Sequence, residues 1–183
     1  MKKDITRALV DEHRLILRMI TLLEHIAPRT AEGSYTNWRF YLDGVDFIRN
    51  YADRFHHAKE EDVLFAALVK NGMPSKNSPI EAMLMEHDQG RAYVGAMETA
   101  AREAQAGQPG REGIIAGNAL AYAELLRGHI SKEDEILYPL AERVIPDTMR
   151  DAIIEGYAAA EAKTPADFTA RCEAVVSGYE QER

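Results

Sequence analysis

Four histidines of this 183-residue chain each continue the apolar stripe of a different predicted helix. Steps of three and four residues keep side chains on one helical face, so the four imidazoles are expected to point into a shared core. Two glutamates each follow a histidine by four residues and therefore lie one turn further along the same face. The six residues are His13, His56, Glu60, His87, His129 and Glu133. Imidazole and carboxylate groups that converge in an apolar interior are typical metal ligands.

The burial of two carboxylates in one place is costly unless positive charge compensates them. The pattern predicts no Lys or Arg on the inward face beside the six residues, which leaves a charge deficit that cations would fill. A single histidine on an apolar face is more often a hydrogen-bonded core residue, and a single His-x-x-x-Glu pair also arises on solvated faces. One histidine on each of four helices, with two such pairs, instead predicts a metal centre. The ligand types favour iron or manganese, with zinc as a further candidate.

The same residues recur in an internal repeat. A shift of 73 positions superimposes 59–65 on 132–138, and every position matches in chemical type. A shift of 74 positions carries the Glu-His pair at 12–13 onto the pair at 86–87. The histidines related in this way are His13 with His87 (87 − 13 = 74) and His56 with His129 (129 − 56 = 73). The chain is therefore predicted to contain two helix hairpins of one design.

His57, next to one of the six, is an additional candidate for a terminal ligand or for a group just outside the ligands. Its helical line includes Asp53 and leads to Glu61, which predicts a polar face. The shift of 73 positions carries it onto Ile130 rather than onto a second histidine (130 − 57 = 73). His56 and Glu60 are therefore favoured as the ligands from this helix.

Four long helices are needed to position these residues. Apolar periodicity predicts them at about 4–27, 35–70, 78–105 and 111–143. Pro28 and Gly33 are predicted to end the first helix, and Ser78 followed by Pro79 begins the third. Short connections imply antiparallel neighbours, so the fold class is all-α, an up-down four-helix bundle. Residues 1–143 are assigned to the bundle, and 144–183 to a C-terminal helical extension that packs on the bundle or serves in association.

The overall composition excludes several classes of partner. The formal net charge of −8 argues against nucleic acid and anionic membranes, because phosphate binding requires clustered Lys and Arg. No apolar run approaches the roughly 18–20 residues that span a bilayer, and the N-terminus lacks the apolar segment of a signal peptide. The single cysteine, Cys172, excludes an internal disulfide and a cysteine-based zinc site. These features predict a cytoplasmic protein, with homo-oligomer formation left open.

The motifs resemble those of the hemerythrin-like, or HHE cation-binding, family over about 4–143. The segments that carry the resemblance are 12–13, 56–65, 86–91 and 129–139. The resemblance implies a non-heme centre of two iron ions completed by a bridging oxo or hydroxo group. It implies His13 and His56 on one iron, His87 and His129 on the other, and Glu60 and Glu133 as bridges.

Two features depart from the oxygen-carrying hemerythrins. Met83 stands where those carriers have a further histidine, and Glu133 follows its histidine by four positions where they usually have an aspartate after five. The pattern is more similar to hemerythrin-like proteins associated with iron sensing or nitrosative-stress repair. Fewer protein ligands would leave positions for water, dioxygen or nitric oxide.

Three functions are compatible with these observations, and the sequence leaves open whether the protein is an enzyme. The first is a di-iron protein that binds or senses dioxygen, nitric oxide or iron. The second is a redox or repair protein in oxidative or nitrosative stress, which would reduce nitric oxide or peroxide or donate iron to iron–sulfur clusters. The third is a zinc-binding structural or interaction module. Candidates for a hydrogen-bonding or redox-active phenol are Tyr51, Tyr93 and Tyr122, with plain core packing as the alternative.

Overall fold

The computed structural model describes residues 2–182, and in that range it contains six helices and no strand. Helix α1 is Arg7–Ala31, α3 is Pro79–Gln105, α5 is Asp147–Glu161 and α6 is Phe168–Gln181. Helices α2 and α4 are longer continuous helical runs, at 38–70 and 112–144. The predicted all-α bundle with additional C-terminal helices is thereby confirmed.

The helix ends follow the predicted signals except at Pro28. Helix α1 continues through Pro28 for about one turn and ends before Gly33, whose φ of 73° suits glycine. The prediction that Pro28 ends the helix was therefore wrong, because a proline near the end of a helix removes only one of its hydrogen bonds. Helix α3 begins as predicted, since the Ser78 hydroxyl accepts a hydrogen bond from the backbone N–H of Glu81.

Helices α2 and α4 contain π-helical segments at the positions of the candidate ligands. These segments are Ile48–His57 and Glu60–Phe65 in α2, and Glu133–Leu137 in α4. A π-helix has i→i+5 hydrogen bonds and is often found at functional sites. Its wider turn shifts the register of the inward face. His57, which the α-helical register placed on a polar face, is consequently only 6% exposed.

The histidines lie between two apolar clusters of the bundle core. Leu9 belongs to one cluster and Ile16 to the other, so His13 lies between them on α1. On α3, His87 lies in the same way between Met83 and Val94. The bundle therefore holds its polar side chains in a layer with apolar packing on both sides.

The two C-terminal helices pack on the bundle. Val176 of α6 is fully buried in the core, and the Tyr179 hydroxyl donates to Asp43 of α2. Gly156 of α5 lies so close to Val63 of α2 that an added Cβ atom would be 2.8 Å from a Val63 methyl carbon. No helix within 2–182 is both long enough and apolar enough to span a bilayer.

Candidate metal centre

The structure brings the six candidate ligands together in the layer between the two apolar clusters. One histidine comes from each of α1, α2, α3 and α4, and the two glutamates come from the π-helical segments of α2 and α4. None of the six is more than 2% exposed. His57 adds a seventh buried residue, which stacks on His87 with ring centroids 3.8 Å apart.

Seven residues form two groups that are each compact enough to hold a cation. In each group, every residue offers one potential ligand atom, a ring nitrogen or a carboxylate oxygen, and these atoms lie within 4.8 Å of one another. The first group is His57, Glu60, His87 and His129, and the second is His13, His56 and Glu133. Within the groups, the Nε2 atoms of His13 and His56 are 3.0 Å apart, as are those of His87 and His129. The layer thus contains two histidine pairs, His13 with His56 and His87 with His129.

Each carboxylate lies between the two histidine pairs. Glu133 has Oε2 3.4 Å from His13 Nε2 and Oε1 3.0 Å from His129 Nε2. Glu60 Oε2 is 3.7 Å from His56 Nε2 and 3.6 Å from His87 Nε2. A carboxylate with this placement can contact two cations at once, one beside each pair.

The polar atoms of this layer are short of partners. Glu60 Oε2 and both carboxylate oxygens of Glu133 are buried and accept no hydrogen bond within 2–182. Buried carboxylate oxygens without partners are costly and rare. The nearby imidazole nitrogens are suitable metal ligands, and the donor set is of nitrogen and oxygen without sulfur. The residues therefore fit a pair of metal cations.

The pKa shifts of these groups indicate that the layer favours bound positive charge. Burial raises the pKa of Glu60 well above its usual range, and the neighbouring Glu133 adds to the rise. Burial acts in the same direction on Glu133, but the imidazoles of His129 and His13 outweigh it and hold its pKa well below the usual range. Burial opposes charge on His13, yet Asp134 and Glu133 raise its pKa to about 9. Without metal, protons bound to these side chains thus supply the positive charge, and bound metal cations would replace those protons.

A second layer of carboxylates orients every one of the four paired histidines. Each imidazole donates from Nδ1 to an acid, which directs Nε2 toward the middle of the layer. The pairs are His13 with Asp134 at 2.9 Å, His56 with Glu12 at 2.8 Å, His87 with Glu61 at 2.6 Å and His129 with Glu86 at 2.8 Å. Sequence reasoning missed this role, although the repeat contained the signal. Each acid is adjacent in the chain to a candidate ligand other than the histidine that it orients.

Lys59 is a buried cationic side chain close to the six candidate ligands, where none was expected. It is fully buried, and it forms ion pairs with Glu12 of α1 and with Glu161 of α5. The repeat-related Lys132 pairs with Glu86, but its side chain is 42% exposed. Lys59 compensates the charge of Glu12, and it forms no ion pair with Glu60 or Glu133. The two central carboxylates still lack a Lys or Arg partner within the described chain.

The phenol at the centre is Tyr138, which was not among the candidate tyrosines. Its hydroxyl donates to Glu60 Oε1 at 2.5 Å, and its ring stacks on His13 with centroids 5.7 Å apart. The candidate tyrosines have other environments. Tyr51 stacks on Phe47 and Phe55, Tyr93 accepts from Gln89, and Tyr122 lines a cavity beside His57.

The family model described as the hemerythrin HHE cation binding domain matches residues 4–141. No curated protein and no solved structure matches the chain significantly.

Proposed function

Since the chain belongs to the family of hemerythrin HHE cation-binding domains, we propose that it holds two iron ions and binds or senses a small ligand there. The two cations would lie beside the two histidine pairs. His13 and His56 would bind one, and His87 and His129 would bind the other, with His57 as an additional ligand or close neighbour. Glu60 and Glu133 would bridge the two.

The observation that carries this proposal is the position of Glu133. Its two oxygens face opposite histidine pairs at 3.4 Å and 3.0 Å, and neither oxygen accepts a hydrogen bond from the described residues. A carboxylate held in this way is suited to link two cations. The donor set favours iron or manganese, since it combines imidazole with carboxylate and contains no thiolate.

A binding or sensing role is supported by the count of protein ligands. The group with His13, His56 and Glu133 offers three ligand residues, and a bridging Glu60 would add a fourth. An iron ion ordinarily accepts more ligands than that, so positions remain for water, dioxygen or nitric oxide. When bound, the iron pair would supply the reversible redox change and the open positions that such a ligand needs.

Anaerobic reconstitution with ferrous iron tests the proposal. We expect two iron ions per chain by elemental analysis, and an absorbance change when dioxygen or nitric oxide is added. His56→Ala and His129→Ala should each lower the iron content, whereas His25→Ala, at an exposed position outside both groups, should not. Preferential retention of zinc with no effect of gases would favour a structural module.

Tyr138 supports a redox or repair role as the second candidate. A buried phenol that is hydrogen-bonded to a bridging carboxylate could donate a proton to a bound peroxide or nitric oxide. Turnover assays with both substrates distinguish this role from binding. Catalytic turnover that Tyr138→Phe abolishes would favour the redox role, and stoichiometric binding without turnover would contradict it.

A further inference from the structure

We propose that the small ligand reaches the centre from one side only, through a cavity beside His57 and His87, and that the Tyr122 hydroxyl hydrogen-bonds to it there. The ligand class is a neutral molecule of two or three heavy atoms that accepts a hydrogen bond. This inference rests on the proposed function, because it assigns that function a binding pocket.

The cavity has a volume of about 170 Å³ and lies between α2, α3 and α4. Its lining includes two buried candidate ligands, His57 and His87, and two partly exposed residues, Asp53 and Arg91. The space therefore connects the candidate metal centre with the surface. Since a water molecule occupies about 30 Å³ in the liquid, the cavity has room for a molecule of a few atoms.

Tyr122 gives the cavity an unused hydrogen-bond donor. The residue is only 3% exposed, and its hydroxyl has no hydrogen-bond partner in the described part of the chain. Buried tyrosine hydroxyls usually find a partner. The Nδ1 atom of His57 also lacks a hydrogen bond, and Asp53 Oδ1 is 3.5 Å from it. An unpartnered buried hydroxyl in the cavity lining is suited to a guest that accepts a hydrogen bond.

The internal repeat indicates why the cavity is one-sided. Gly90 lines it, and the related position in the first half is Ile16 (90 − 16 = 74). His57 lines it, and the related position is Ile130 (130 − 57 = 73). Both isoleucines are buried in the apolar core. A Cβ atom at Gly90 would already lie 3.4 Å from the Tyr122 ring, so a larger side chain there would occupy the cavity.

The charges at the mouth favour a neutral guest. Arg91 is 2.7 Å from Asp53, 2.8 Å from Glu61 and 2.9 Å from Asp88. Three carboxylates thus surround this guanidinium, and no excess of positive charge is left to attract an anion. Arg91 also connects the mouth to the centre, since Glu61 accepts from His87 Nδ1 at 2.6 Å.

Gly90→Ile tests the cavity, with nitric oxide as the probe of the ferrous protein. We expect association, followed by stopped-flow absorbance, to slow at least about tenfold while the iron content is unchanged. Gly95→Ile on the same helix is the matched control, because a Cβ atom there meets nothing within 4 Å. Tyr122→Phe should leave the association rate unchanged. It should accelerate dissociation by up to about tenfold, because one hydrogen bond to the guest is lost.

A second measurement needs no metal. Crystals of the metal-free wild type under xenon pressure should show xenon in this cavity, and those of Gly90→Ile should not. If Gly90→Ile does not fold, Gly90→Ala and Tyr122→Phe carry the test, with a smaller decrease in association expected for the former. Normal iron binding with unaltered nitric oxide kinetics in these variants would overturn the cavity proposal and leave the proposed function standing. Failure of the wild type to bind iron would overturn both, and metal analysis identifies that case.

Discussion

The hydroxyl of Tyr138 donates a 2.5 Å hydrogen bond to Glu60, one of the two carboxylates between the histidine pairs. The repeat-related position is Phe65 (138 − 65 = 73), which has no hydroxyl and instead stacks on His87. The two halves of the layer therefore differ at this position, as they do at His57 and Ile130. An approximately twofold arrangement of ligands thus has two chemically distinct sides.

Tyr138→Phe should destabilise the metal-free protein by about 1–3 kcal/mol, because it leaves a buried carboxyl oxygen without its donor. Urea unfolding of the metal-free protein measures this change. Tyr157→Phe is the matched control, since Tyr157 is buried in the same apolar cluster and its hydroxyl has no partner within 2–182. An equal loss in both variants would indicate a packing effect and contradict the role of the hydrogen bond.

Glu133→Gln should lower the metal content from two ions per chain to one or none. The amide keeps the size of the side chain but removes the negative charge and replaces one oxygen with a nitrogen that does not bind metal well. Elemental analysis after reconstitution measures the result. Glu135→Gln, an exposed position two residues further on, should retain both ions. Retention of both ions by Glu133→Gln would be incompatible with a bridging role.

Glu12→Gln and Glu86→Gln should each weaken metal binding by about 10–100-fold, because these acids orient His56 and His129. Competition with a chelator of known affinity measures the change. Asp11→Asn is the control, since Asp11 is adjacent to Glu12 and pairs with Arg7 and Arg14 on the surface. If the control weakened binding as strongly as Glu12→Gln, a general charge effect would account for both results.

Gly156→Ala should destabilise the protein by about 1–3 kcal/mol, although alanine ordinarily favours a helix over glycine. The added Cβ atom would lie 2.8 Å from a methyl carbon of Val63, where α5 packs on α2. Thermal or urea unfolding measures the change. Val63→Ala should restore much of the loss when it is combined with Gly156→Ala.

Gly178→Ala in α6 is the control for that pair of variants, because a Cβ atom there meets nothing within 4 Å. It should be neutral or stabilise the protein by up to about 1 kcal/mol. A gain of stability in Gly156→Ala would mean that α5 does not pack closely on α2.

Much of the fold was predictable because helical periodicity is a local property of the chain. The spacing of apolar residues indicated the long helices, and Ser78 with Pro79 marked the start of α3. The same periodicity predicted that His13, His56, His87 and His129 turn inward, as the structure has them. The prediction that Pro28 ends the first helix was wrong, since the effect of a proline depends on how much helix follows it.

The tertiary structure decided the environment of each side chain. His57 turns inward because the π-helical segment shifts the register of α2, and an α-helical period does not anticipate that shift. The pairing of each histidine with an acid also depends on the tertiary structure, since the acid that orients each histidine comes from another helix. The sequence by itself determined which residues are suited to bind metal and on which helices they lie. Only the packing of the helices decided that Glu133 faces both histidine pairs, that Tyr138 reaches Glu60, and that Gly90 leaves a cavity on one side, because each depends on distances between residues far apart in the chain.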